Sequence, residues 1–269
     1  MNAEPGEGAR ALESLLAFWA EAGVDTTFED APVDRIAERV RPIRPPVTPV
    51  IASPSAANAG PDVSGPLDDA RRLAAEAKDL TQLAAAIAAF DGCGLKFEGA
   101  RQAVFSRGAA DAPVMVIGEA PGAEEDQQGA PFVGRAGKLL DKMLAAADLE
   151  GRAFITNTVY WRPPGNRTPS PAEQLVCSPF LERAIALVRP KFLLLVGGAS
   201  AKALLQRPEG ILTLRGRWFD WRSADESLSV PAMPTLHPAF LLRQPAAKKK
   251  AWADLLMLTE RLDRPERPG

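Results

Sequence analysis

Between Gly118 and Gly137 the chain reads GEAPGAEEDQQGAPFVGRAG, and several of its residues are poor choices for folding alone. Glu124, Glu125 and Asp126 are consecutive acids that repel one another, and Phe132 stands in a loop where it hides little surface. Something outside the fold should account for both. Glu119 lies in the glycine-rich turn directly after an apolar run, a place where sites collect in open α/β sheets. Asn157, in TNTVYWRPPGNRTPSPAEQ, ends a second apolar run, where an isolated asparagine usually forms a turn. His237, in TLHPAFLLRQP, is the chain's one histidine, and by itself it is as readily structural as catalytic. Neither a G-x-x-x-x-G-K-[ST] loop nor a G-x-G-x-x-G fingerprint is present, which leaves a nucleotide-handling enzyme without support.

The elements that must position these residues alternate along the chain. PVMVIGEAPG, AFITNTVYW, KFLLLVGG and VPAMPTLHP read as strands. GRAGKLLDKMLAAADL, SPAEQLVCSPFLERAIALVR, ASAKALLQ and AAKKKAWADLLMLTERL read as helices, the second opened by Ser170 and Glu173 as a capping box. ILTLRGRWFDW reads as a hairpin around Gly216, and an Ala- and Leu-rich stretch from Leu67 to Phe90 as one helix. Strands separated by helices predict a three-layer α/β/α fold with a mostly parallel central sheet. The loops after Ile117, Thr156, Val196 and Leu236 should then meet at one cleft. Residues 1–40 read as an N-terminal helical segment carrying Leu12, Leu15, Leu16, Phe18 and Trp19, residues 41–65 as a flexible Pro/Ser/Ala linker, and residues 66–269 as the main domain.

The 269 residues, 46% hydrophobic and 25% charged, have an ordinary globular composition. No apolar run reaches the roughly 20 residues that span a bilayer, and the first residues lack the pattern of a signal peptide, so a cytoplasmic protein is expected. Cys93 and Cys177 are too few for a disulfide framework and read as buried thiols. The formal net charge of −2 hides an asymmetry: residues 1–91 hold 8 basic against 15 acidic side chains, and the remainder 24 against 19. A basic C-terminal part is a weak sign of a polyanionic partner.

The segments around Glu119, Asn157 and His237 resemble, in order and spacing, the motifs of the family 4 uracil-DNA glycosylases, from roughly Phe90 to Leu262. The resemblance implies a uracil-DNA glycosylase-like fold and hydrolysis of the N-glycosidic bond of a flipped-out uracil in base excision repair. The alternative is a non-catalytic or covalently trapping uracil-DNA binder on the same scaffold. Such chemistry needs stabilised negative charge on the departing base and water at C1′. On this likeness Glu119 positions or activates the water and His237 donates to uracil O2. Phe132 stacks on the base, Asn157 reads its N3 and O4, and Glu125 either bonds the base or orients the loop. Ala120 adjoins the base where some members carry a second glycine. Glu124 and Asp126 are expected only to favour the start of the next helix.

Phe240, Leu241 or Leu242 is then the wedge that replaces the flipped base, and Arg162, Arg167, Arg243 and Lys248 meet phosphates. The RPPGNR segment has a second reading, a rigid turn whose arginines pair locally. Members of the family carry four cysteines around a [4Fe–4S] cluster; here Phe90 and Trp161 stand at two of those positions, and only Cys93 and Cys177 remain. No cluster and no other metal is expected. Uracil-containing DNA, single- or double-stranded, is the implied partner of a monomer that touches no membrane.

Overall fold

The computed structural model describes residues 63–264, so the expected N-terminal segment and nearly all of the 41–65 linker lie outside the described residues. The strands are β1 (Ser106–Gly108), β2 (Val114–Gly118), β3 (Ala153–Asn157), β4 (Phe192–Val196), β5 (Phe219–Arg222) and β6 (Ser229–Thr235), in the spatial order β1-β3-β2-β4-β6-β5. The inner four run parallel, and β1 and β5 are antiparallel edges. The helices among the described residues are α1 (Ser64–Glu76), α2 (Leu80–Ala89), α3 (Ala123–Gln128), α4 (Arg135–Ala146), α5 (Pro171–Val188), α6 (Gly198–Leu205), α7 (Ile211–Leu214), α8 (Pro238–Arg243) and α9 (Lys248–Asp263).

Every residue of β2, β3 and β4 is buried, which a parallel strand covered on both faces requires. Their period of two sorts the core into layers. Val114, Val116, Ile155, Leu194 and Val196 pack with Leu140 and Leu144 of α4 and with Leu255 and Leu258 of α9. Met115, Ile117, Phe154, Leu193 and Leu195 pack on the other face with α1, α2 and α5. The result is the expected α/β/α sandwich. Ser170 and Glu173 form the capping box that opens α5.

Three local features depart from what the sequence predicts. The helix expected from Leu67 to Phe90 is two helices, because Asp79 takes an extended conformation and caps α2 by accepting from Gln82 N at 2.8 Å. The hairpin expected around Gly216 joins β5 to β6 instead. Asp225 nucleates its turn by accepting from Ser223 Oγ, Ser227 N and Ser227 Oγ, the short-range chemistry that favours turns. The third, β1, has three residues and shows no period that a sequence could reveal.

Candidate active site

The carboxyl ends of the inner strands meet as the alternation implied. Gly118, the last residue of β2, pairs with Asn157, the last of β3. A Cβ on Gly118 would collide with Asn157 Oδ1 and with the Phe132 ring, so this bare backbone is what lets ring and amide meet. His237 follows β6 and caps α8, and its ring centroid lies 5.7 Å from that of Phe132 at an interplanar angle of 33°. Gly197, after β4, reaches the same place: at φ 97° its amide donates to Thr235 O at 2.9 Å, and a Cβ there would sit 3.2 Å from His237 Cβ. Glu119 is the half-buried residue after Gly118, and its carbonyl accepts from Thr158 Oγ1 at 2.7 Å. Glu119, Phe132, Asn157 and His237 therefore stand together at one edge of the sheet.

Two of these side chains have an electronic state that geometry fixes. The Asn157 side chain is 1% exposed, and neither Nδ2 nor Oδ1 has a hydrogen-bond partner among the described residues. Leaving such a group unpaired costs about 1–3 kcal/mol, which a ligand offering one donor and one acceptor would recover. Water does not reach the amide, so a neighbouring side chain must give way before any base can. His237 Nδ1 accepts from Ala239 N at 3.1 Å. A backbone amide can only donate, so Nδ1 carries the lone pair and Nε2 the proton. Burial, reinforced by the Arg243 charge and opposed by Glu125, lowers the imidazole pKa to about 4 and keeps the ring neutral at ordinary pH.

The ring spacing also limits the geometry of binding. A flat base between Phe132 and His237 would need about 7 Å, two van der Waals layers, more than the 5.7 Å present. His237 is therefore placed to address a base at its edge rather than its face.

The acidic run and the loop phenylalanine are accounted for within the fold, contrary to expectation: Phe132 is buried at 7% exposure among the residues that pack with α4, and two of the acids accept from backbone amides. Glu125 accepts from Val133 N and Gly134 N at 2.9 Å each and from Gly122 N at 3.1 Å, so it takes the loop-orienting role of its two expected ones. Asp126 departs from expectation: it is buried and accepts from Arg101 N at 2.8 Å, tying α3 to the segment before β1. Phe132 itself sits at φ 56°, a left-handed conformation that costs an L-residue about 1–2 kcal/mol. Gly137 makes room for it, since a Cβ there would collide with the Phe132 carbonyl. A glycine within an otherwise regular helix, α4, was the signal for that close approach.

A sequence profile of the Uracil DNA glycosylase superfamily matches residues 105–256, more than half of the chain. The chain belongs to the uracil-DNA glycosylase superfamily. It is 40% identical over 162 residues to the type-4 uracil-DNA glycosylase of Pyrobaculum aerophilum, covering 58% of this chain and 82% of that protein. Identity to the type-4 uracil-DNA glycosylase of Saccharolobus solfataricus is 39% over 168 residues, covering 60% and 77%. For that of Thermotoga maritima it is 37% over 142 residues, covering 52% and 71%.

The remaining residues singled out in this superfamily member are dispersed around that edge. Leu241 is 1% exposed in a small core with Leu236 and Ala251, Phe240 is half-buried against the same core, and Leu242 is 39% exposed, so of the three Leu242 offers the exposed apolar tip. Arg243 and Lys248 are exposed. Arg162 donates to Asn166 Oδ1 at 2.7 Å, and Arg167 grips Glu173 at 2.7 Å and Glu98 at 3.3 Å, the local pairing that was the second reading of RPPGNR. Ala120 is half-buried against the core on the α5 side. A separate cavity of about 230 Å³ beside Leu241 is lined by Leu139, Met143, Trp252 and Leu255 with Lys142 and Lys248, and carries no acid, amide or histidine.

At the cysteine positions the space is filled with rings. Phe90, Cys93, Trp161 and Cys177 are all buried. The Phe90 centroid lies 6.4 Å from Trp161 and 5.1 Å from Phe180, and Tyr160 completes the stack at 6.3 Å from Trp161. Both thiols are free and hydrogen-bond to each other, and that hydrogen bond together with burial holds Cys177 well above the usual thiol range. Among the described residues no group of three or more His, Cys, Asp or Glu could hold a metal ion. Two thiols walled in by four aromatic rings do not fit a cluster that needs four thiolates.

Proposed function

We propose that this chain is a uracil-DNA glycosylase that hydrolyses the bond between uracil N1 and deoxyribose in DNA, the opening step of base excision repair. The observation that carries the reading is the buried, unpaired amide of Asn157 beside Phe132 and His237. Uracil offers O4 as acceptor and N3–H as donor, which Nδ2 and Oδ1 of one amide satisfy together. As the glycosidic bond lengthens, charge gathers on uracil O2, and the neutral His237 donates Nε2–H to it. Glu119 holds the water that attacks C1′ of the oxocarbenium-like sugar. Phe132 supplies the stacking surface.

The tautomer also bears on the rival, a non-catalytic or covalently trapping uracil-DNA binder, for the case in which His237 would be the trapping nucleophile. A nucleophilic imidazole needs a lone pair at the nitrogen facing the sugar. The Ala239 bond keeps the lone pair on Nδ1, which favours the hydrogen-bond donor. Hydrolysis is the better supported of the two.

The aromatic packing around Cys93 and Cys177 supports an enzyme without an iron–sulfur cluster. Residues 66–269 form the catalytic unit, with the acidic N-terminal segment and its linker as an appendage. Leu242 is the wedge, and Arg243 and Lys248 meet phosphates beside it. The protein works as a cytoplasmic monomer; among the described residues no helix is long and apolar enough to cross a membrane.

The test is incubation with an oligonucleotide holding one uracil, followed by alkali. The wild type should give cleavage at the uracil position, and Asn157→Ala should lower the rate by about a hundredfold or more, because a site built to pair with the base then loses both bonds. Equal rates for the two proteins would remove Asn157 from recognition.

A further inference from the structure

We infer that Arg107 is a positioning residue for the base-stacking platform, holding Phe132 in its left-handed conformation from the side opposite Glu125. This rests on the glycosylase reading, in which Phe132 meets the base. Arg107 lies at the middle of the edge strand β1, paired with Ile155 of β3. Its Nε donates to Pro131 O at 2.7 Å, and its Nη2 donates to Phe132 O at 3.0 Å and to Asp141 Oδ1 of α4 at 2.6 Å. Two successive carbonyls are thus gripped by one rigid, planar fork. The next two amides, of Val133 and Gly134, are gripped by Glu125.

Four consecutive residues of the loop are therefore held by a cation on their carbonyls and an anion on their amides. Such a two-sided hold is what a φ of 56° at Phe132 requires, because an L-residue left to itself returns to negative φ. Asp141 fixes the guanidinium to α4, the helix whose Gly137 admits the Phe132 carbonyl. The three-residue strand β1 acquires a purpose in this arrangement: it mounts Arg107 on the sheet that also carries Asn157.

Without the fork, the loop would spend most of its time with the ring away from Gly118, and binding would have to select the minor platform-forming state. That penalty falls on affinity for the base, not on the chemical step once the base is seated. The experiment measures free-uracil binding by calorimetry together with steady-state uracil release from DNA, for the full-length wild type, Arg107→Met, Phe132→Ala and the double variant. Arg107→Met should raise both the Kd for uracil and KM about tenfold while kcat changes by less than about threefold. In the Phe132→Ala background the same substitution should change neither.

Arg107→Lys keeps the charge but cannot hold both carbonyls, so it should raise Kd and KM by about threefold and provides the reading if the Met variant does not fold. A fall in Tm with unchanged Kd and KM would overturn the inference, as would an undiminished Arg107→Met effect when Phe132 is absent. A wild type that neither binds nor releases uracil would instead bring down the glycosylase reading itself.

Discussion

His237 is kept neutral by burial and by the Arg243 charge, while the backbone amide it caps places its proton on Nε2, and this has separate consequences for stability and for catalysis. Its pKa falls to about 4 from an ordinary 6.5, so between those values the unfolded chain binds a proton that the folded one does not. The contribution to stability is fully present above pH 6.5 and is lost as pH falls through about 4. Catalysis through Nε2–H should show no acid limb from this residue near 6.5. With a single histidine in the chain, one imidazole ¹⁵N spectrum reads the answer: a neutral ring protonated on Nε2, unchanged from pH 7.5 to about 5. Titration near 6.5, or a proton on Nδ1, would refute the assignment. Phe132, Asn157 and His237 were legible only through the resemblance of their segments to the family 4 motifs, because alone each has an ordinary structural reading as a core contact, a turn former or a satisfied histidine. Arg107 was not, because it acts on backbone carbonyls 24 and 25 residues along the chain, and for Glu125 the sequence offered two roles between which only the structure chooses.

At the scale of elements, the wholly buried strands β2, β3 and β4 announced themselves as short apolar runs, and their carboxyl ends followed from parallel pairing. The hairpin around Gly216 was misread because Trp218 and Phe219 continue an apolar pattern, while the turn is made by the serines and aspartate from Ser223 to Ser227. The aromatic group at Cys93 and Cys177 joins the segment before β1 to α5 through packing, beside the bonds from Arg183 to Ala77 O. Phe90→Ala or Trp161→Ala should then cost about 3–5 kcal/mol in urea unfolding, the usual penalty for emptying a large buried aromatic site. The purified protein should be colourless and keep its stability in chelator. Losses below about 1 kcal/mol would show that these rings do not hold the region together, and about four irons per chain would show that a cluster does.

The whole molecule separates its charges, with the excess of acids in residues 1–91 and the excess of bases in the part that carries the site. The exposed Lys248, Lys249 and Lys250 open α9 soon after the Leu242 tip, so the basic excess includes the segment where DNA would be held apart. The central claim joins this surface to Asn157, Phe132 and His237 in one hydrolytic enzyme that needs no metal. Its most direct test is multiple-turnover release of free uracil from DNA by chelator-treated, iron-free protein, with substrate in large excess. The expected result is many equivalents of uracil released per chain, and a loss of about a hundredfold in kcat for His237→Ala, the usual effect of removing one donor to a developing anion. A single equivalent released with DNA left covalently on the protein, or no release at all, would contradict it.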